Sequence, residues 1–234
     1  MLFRSAIFAH IRNAPHLSPV TAWNAHPFDF GRFTFMHNGD IAFFDRIKLS
    51  MCHEMSLDAY NLIKGNTDSE HLGALMFTIL EKRHPSADGL RAWERSHSVQ
   101  DLRAALEEAI TKVIVLQVRV STLETFEAST FNIAVTDGHR LLVTRFRNHP
   151  KEHPPVLFTS QKAGPDLNRK FITDARPVTS VDKPAKLAAQ HAPYLMVSTE
   201  RTTVNEADWE LLPRNTGIMV DEDMNVEHFH VNVQ

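Results

Sequence analysis

A single cysteine, Cys52, excludes an internal disulfide framework and suits a reducing compartment. No apolar run approaches the roughly 18 residues that a membrane-spanning helix needs. No stripe of like charge runs along the chain either: 25 basic and 28 acidic residues leave a net charge of −3, which gives no footprint for nucleic acid. Internal repeats, low-complexity tracts and an H-E-x-x-H pair are all absent. The fourteen histidines include "HFH" at His228 to His230, where alternate strand residues share a face, but no third ligand accompanies them and a zinc site takes three or four. No acidic residue precedes Asp29. With Arg4 and Arg12, the first twenty residues therefore imitate a mitochondrial transit peptide. The competing reading is a buried strand, Leu2 to Ile11, that ends in a functional Arg12.

What is present is an ordinary globular composition, 43% hydrophobic and 23% charged, in 234 residues that suit one large domain or at most two small ones. Pro15, Pro19 and Pro27 punctuate a loop, and Arg32 to Met36 reads as a strand. Short helices are predicted at about Ile41 to Met51 and Ser56 to Lys64. A longer one starts at "NTDSEHL", with Thr67 or Asp68 as cap and Leu72, Leu75, Met76, Ile79 and Leu80 on its apolar face, and Pro85 ends it. Another runs from a Ser98 cap along Leu102, Ala105, Leu106, Ala109, Ile110, Val113 and Ile114.

From Phe131 the texture changes. "FNIAVTDGHRLLVTRF" is two alternating apolar runs joined through Asp137-Gly138, a hairpin signal. Val156 to Thr159, Tyr194 to Ser198, Gly217 to Val220 and Val226 to Val231 are further strands, the last two a hairpin turning at Asp223 to Asn225. Lys162 to Pro193 is polar and reads as mostly loop. Helices in the first half and antiparallel strands in the second indicate an α+β fold with layered packing.

The stretch "RFTFMHNGDIAFFDRI" places His37, Asn38, Gly39 and Asp40 at a strand-to-helix turn. Asn and Gly tolerate positive φ, which can aim N–H groups into a cleft. An Asn amide with a Gly backbone N–H is what stabilising an oxyanion needs. A plain Asn-Gly turn fits the same residues.

Four pieces occur in order at close spacing: "FAHIRNA" around Arg12, "HPF" at His26 to Phe28, "FMHNGDI" around Asn38-Gly39, and "NTDSEHL" around Asp68. Together they resemble a class II glutamine amidotransferase domain of the N-terminal-nucleophile hydrolase fold. "DGHRLLVTRF", "LNRKF" and "DWELLPRNTGIMV" make the chain most similar to amidotransferase subunits of the fungal glutathione-degrading (DUG) complex. The resemblance covers nearly all 234 residues as a single domain and implies a four-layer αββα sandwich. It implies that Arg12 clamps a substrate carboxylate, that Asp68 accepts from its ammonium, and that Asn38 and Gly39 hold the oxyanion. A guanidinium fork suits the first task. Taken singly, Arg12 fits a surface arginine and Asp68 a helix cap.

The resemblance further implies glutamine or a γ-glutamyl peptide such as glutathione as substrate, a metallopeptidase-like partner subunit, a cytoplasmic location, and no cofactor, metal, nucleic acid or membrane. It also explains the Arg-bearing first residues better than a transit peptide does. The family's nucleophile is an N-terminal cysteine whose own α-amino group is the base, and Leu2 follows Met1 here. The expectation is thus a domain lacking its first strand and its nucleophile, either inactive as given or a pseudoenzyme that binds γ-glutamyl ligands or a partner protein. Cys52, attached to an internal peptide nitrogen, has no such base.

Overall fold

Strands with every second side chain apolar build the larger sheet of the computed structural model, which describes residues 6–12, 20–87, 89–121, 127–163 and 194–233. Among the described residues the strands are β1 (Phe28–Phe30), β2 (Phe33–Asn38), β3 (Thr130–Thr136), β4 (Leu141–Arg147), β5 (Phe158–Ser160), β6 (Met196–Ser198), β7 (Glu210–Leu211), β8 (Thr216–Val220) and β9 (Val226–His230). The helices are α1 (Phe44–Glu54), α2 (Leu57–Tyr60), α3 (Asp68–Arg83) and α4 (Val99–Val120). The chain divides into two compact units, Met1–Pro154 with Arg214–Gln234, and Pro155–Pro213. Among the described residues no helix is long and apolar enough to cross a membrane.

The first unit holds a six-stranded sheet in the order β1-β2-β3-β4-β8-β9. Every pairing in it is antiparallel. Phe33 and Phe35 of β2, Phe131, Ile133 and Val135 of β3, and Leu142 and Phe146 of β4 share one core with the apolar stripes of α3 and α4. The β3–β4 hairpin turns as expected. Asp137 Oδ1 accepts the N–H groups of His139 at 3.0 Å and Arg140 at 2.8 Å, and Gly138 supplies a φ of 85°. The β8–β9 hairpin closes on Asp221, whose Oδ1 accepts from the backbone of Asp223 and Asn225.

Both long helices begin where hydroxyl caps were expected. Thr67 accepts from Glu70 N–H and Ser98 from Asp101 N–H. α3 is buried from Ser69 to Leu80 on all sides, well beyond its apolar face, because α1, α2, α4, β1 and β2 all pack against it.

Several expectations need correction. The first short helix starts at Phe44 and not at Ile41, because the backbone of Ile41 and Ala42 is already engaged elsewhere and Phe43 turns left-handed at φ 57°. The second spans four residues only. Of the expected strand Leu2 to Ile11, residues 2–5 lie outside the described residues and 6–12 join no sheet. Their alternation is real, but Ile7 and Ile11 are 90% and 98% exposed. β1 and β7, three and two residues long, were too short for a periodicity to announce.

In the second unit, β5 pairs antiparallel with both β6 and β7. The buried Trp209 donates from Nε1 to Thr203 Oγ1 at 2.9 Å, and the Arg201 guanidinium lies 4.7 Å from the Phe158 ring centre. From residue 164 to 193 the expected loop lies outside the described residues.

Candidate functional site

β2 ends at Asn38, and the chain from there to Phe44 is fastened on every side. His37 is 1% exposed. Its Nε2 lies 2.8 Å from the Thr130 carbonyl and its Nδ1 lies 3.0 Å from Ser69 Oγ. A carbonyl only accepts, so Nε2 carries the hydrogen. Thr130 N–H in turn donates to the Asp40 carbonyl at 2.9 Å. Further on, Ile41 N–H donates to Asp68 Oδ2 at 2.9 Å and Ala42 N–H to Ser129 Oγ at 2.9 Å. Gln117 of α4 donates to the Ala42 carbonyl at 2.8 Å.

Neither Asn38 nor Gly39 has a positive φ, so the conformational reason expected for this pair is wrong. Glycine is required at 39 by close approach instead. A Cβ there would stand 2.1 Å from the Thr130 carbonyl oxygen and 2.5 Å from His37 Nε2.

Asp68 is the first residue of α3, and its half-buried carboxylate serves the turn directly. Oδ1 accepts from Ser69 N–H at 2.7 Å and from Ser69 Oγ at 3.2 Å, while Oδ2 takes Ile41 N–H. A carboxylate offers about four lone-pair positions, so room remains for a ligand donor. Burial, then the neighbouring charge of Asp68, pushes the Asp40 carboxyl up, with His37 opposing and Glu127 adding to the rise. Asp68 and Glu127 thus act electrostatically on Asp40 in the turn, and of these three acids only Asp68 was expected to bind substrate.

Arg12 is half-buried, and its charge acts on His10 and His26, whose rings lie 4.2 Å apart. His37 acts on both of these rings and on Asp40. Asp68 is thus bonded to Ile41, two residues after Gly39, and Ser69 reaches both Asp68 and His37, the residue before Asn38, while Arg12 acts on the histidine pair through its charge. Two polar residues that the sequence reading missed continue from Asn38 across the sheet: Asn132 opposite it on β3 and Arg145 opposite Asn132 on β4, both buried. Burial pushes the Arg145 guanidinium down. A polar residue inside an apolar strand run was the available signal.

Cys52 lies apart from this arrangement, eight residues into α1. At 1.5 Å per residue that is about 12 Å along the axis from the end nearest the turn. Burial pushes its thiol up, the opposite of what a nucleophile needs. His228 and His230 are exposed on β9, and no group of three or more His, Cys, Asp or Glu side chains assembles among the described residues.

Burial, then the charges of His10, His37 and Arg12, lowers His26 from 6.5 to about 3. The folded state therefore refuses a proton that the unfolded chain binds below 6.5. The stability this neutral ring carries is complete above that pH and is lost as pH falls through the window toward 3. Urea titrations should show a loss of at most about 2 kcal/mol from this ring between pH 6.5 and 5. His26→Gln should flatten the acid limb, and an unchanged slope would contradict the assignment.

No family model matches the chain. The Saccharomyces cerevisiae "Probable glutamine amidotransferase DUG3" is 26% identical over 229 residues, covering 95% of this chain and 58% of that protein. The solved glutamine aminotransferase class-II domain protein from Silicibacter pomeroyi superposes with a TM-score of 0.60 at 19% identity, over 92% of this chain and 74% of that one. The chain is similar in sequence to a probable glutamine amidotransferase and shares the fold of a solved class II domain protein. The mixed fold with antiparallel sheets expected from the sequence agrees with that of its structural neighbour. The chain spans little more than half the length of the yeast relative.

Proposed function

We propose that the domain binds the γ-glutamyl group of glutamine or of a γ-glutamyl peptide such as glutathione, in the manner of an amidotransferase glutaminase site. The observation that carries this is the hydrogen bond from Ile41 N–H to Asp68 Oδ2, which fastens an acidic helix start to the Asn38-Gly39 turn. Asp68 and Asp40 suit an α-ammonium, Arg12 suits an α-carboxylate, and Asn38 with Gly39 suits the oxygen of the side-chain amide between them. The finer role, glutathione breakdown with a metallopeptidase-like partner subunit, follows the likeness to the yeast protein and is part of the proposal.

Calorimetry with glutamine and with glutathione tests it. Arg12→Ala and Asp68→Asn should each weaken binding by about 2 kcal/mol, since each leaves an opposite ligand charge poorly paired. Asparagine keeps an acceptor for Ile41 N–H, so the second variant isolates the charge. Unchanged affinity in both would defeat the reading.

A second reading, binding without turnover, is favoured by the position and burial of Cys52, the one thiol in these 234 residues. Attack on the amide requires a thiolate beside a base and close to the oxyanion donors. The purified 234-residue polypeptide should release no glutamate from either compound. Release that Cys52→Ala abolishes would show that this thiol is the nucleophile after all.

A further inference from the structure

We propose that Ser69 is a positioning residue whose hydroxyl passes the occupancy of Asp68 to the Asn38-Gly39 turn through His37. The inference deepens the γ-glutamyl reading and rests on it for the identity of the ligand. Ser69 is buried and has one hydroxyl hydrogen with two acceptors in reach, His37 Nδ1 at 3.0 Å and Asp68 Oδ1 at 3.2 Å. Nε2 of His37 holds a hydrogen against the Thr130 carbonyl, so in the tautomer with that single ring hydrogen Nδ1 is the acceptor facing the Ser69 hydroxyl.

Which acceptor wins depends on the charge beside Asp68. An ionised carboxylate without a cation draws the hydroxyl by a charge-assisted bond, and the His37 ring is then held at Nε2 alone. An ammonium placed on Asp68 offsets that charge and competes for Oδ1. The hydroxyl then turns to Nδ1, and His37 is fixed at both nitrogens. His37 immediately precedes Asn38, and its Nε2 lies 2.5 Å from where a Cβ on residue 39 would stand. Fixing the ring therefore fixes the residue on which the turn is built. Binding at the ammonium end in this way prepares the oxygen-binding end, with no backbone displacement.

The test is nitrogen NMR of the His37 ring in the folded protein. Adding glutamine should move the Nδ1 resonance upfield, as for an acceptor gaining a hydrogen bond, although His37 is buried. In Ser69→Ala that ligand-induced movement should vanish and glutamine should bind about tenfold more weakly. Asp68→Asn is the arm without ligand: removing the charge should move Nδ1 upfield on its own. A residue with a purely structural role would leave the ligand-induced movement intact in Ser69→Ala and Nδ1 unmoved in Asp68→Asn, and either result overturns the proposal. If Nδ1 moves in Asp68→Asn while glutamine fails to bind the unaltered protein, the coupling stands and the γ-glutamyl reading falls.

Discussion

Gly39→Ala should cost about 3 kcal/mol of stability and abolish glutamine binding, with the urea midpoint and calorimetry as the two measurements. The new methyl carbon would lie 2.1 Å from the Thr130 oxygen and 2.8 Å from its carbonyl carbon. Those atoms belong to the backbone of β3, at a residue paired with Arg147 of β4, and backbone cannot rotate aside as a long side chain would. The remaining adjustment is for residues 38–40 to withdraw from β3. Withdrawal breaks the bond from Thr130 N–H to the Asp40 carbonyl, and it moves the very atoms proposed to meet the amide oxygen. A variant with the parental midpoint and affinity would mean that the turn yields freely, and the account of a fastened site would fail with it.

Phe77→Ala should be the most destabilising change in the core, by about 3–5 kcal/mol, which is a large share of what holds a domain of this size folded. Phe77 is 0% exposed in the middle of α3. Its ring centre lies 5.0 Å from that of Phe30 on β1 and 5.2 Å from that of Phe33 on β2, so its removal opens a cavity where helix and sheet meet. The same change at the exposed Leu49 should cost well under 1 kcal/mol, and similar losses at the two positions would show that the core lies elsewhere.

Long periodic segments were readable before any coordinates. The stripe from Leu102 to Val113 and the caps at Thr67 and Ser98 are where periodicity and capping chemistry put them. The Asp137-Gly138 hairpin is as well, because a two-residue period and a local turn need no distant partner to define them. The start of α1 was not readable, since it depends on what holds Ile41 and Ala42: Asp68, Ser129 and Gln117, from 27 to 87 positions away in sequence. Burial around α3 misled in the same way. Ser69, Glu70, His71 and Thr78 are polar residues that periodicity assigns to solvent, and tertiary contacts with satisfied hydrogen bonds place them inside. In the candidate site, the motif order picked out Asn38, Gly39 and Asp68. The ring of His37 and the hydroxyl of Ser69 stayed hidden, because their importance lies in distances to Thr130 and Asp68 that no spacing encodes.

The burial of α3 on all sides also has a consequence in time. Its amides should be among the slowest to exchange with deuterated solvent, as expected for an element with no solvent face. Asp68 and Ser69 open that helix, so both are carried on an element buried on all sides. Arg12 belongs to a segment outside both helix and sheet, flanked by exposed Ile11. On the γ-glutamyl reading proposed above, the ammonium therefore meets a group set on a buried helix and the carboxylate one set on a segment that joins no sheet.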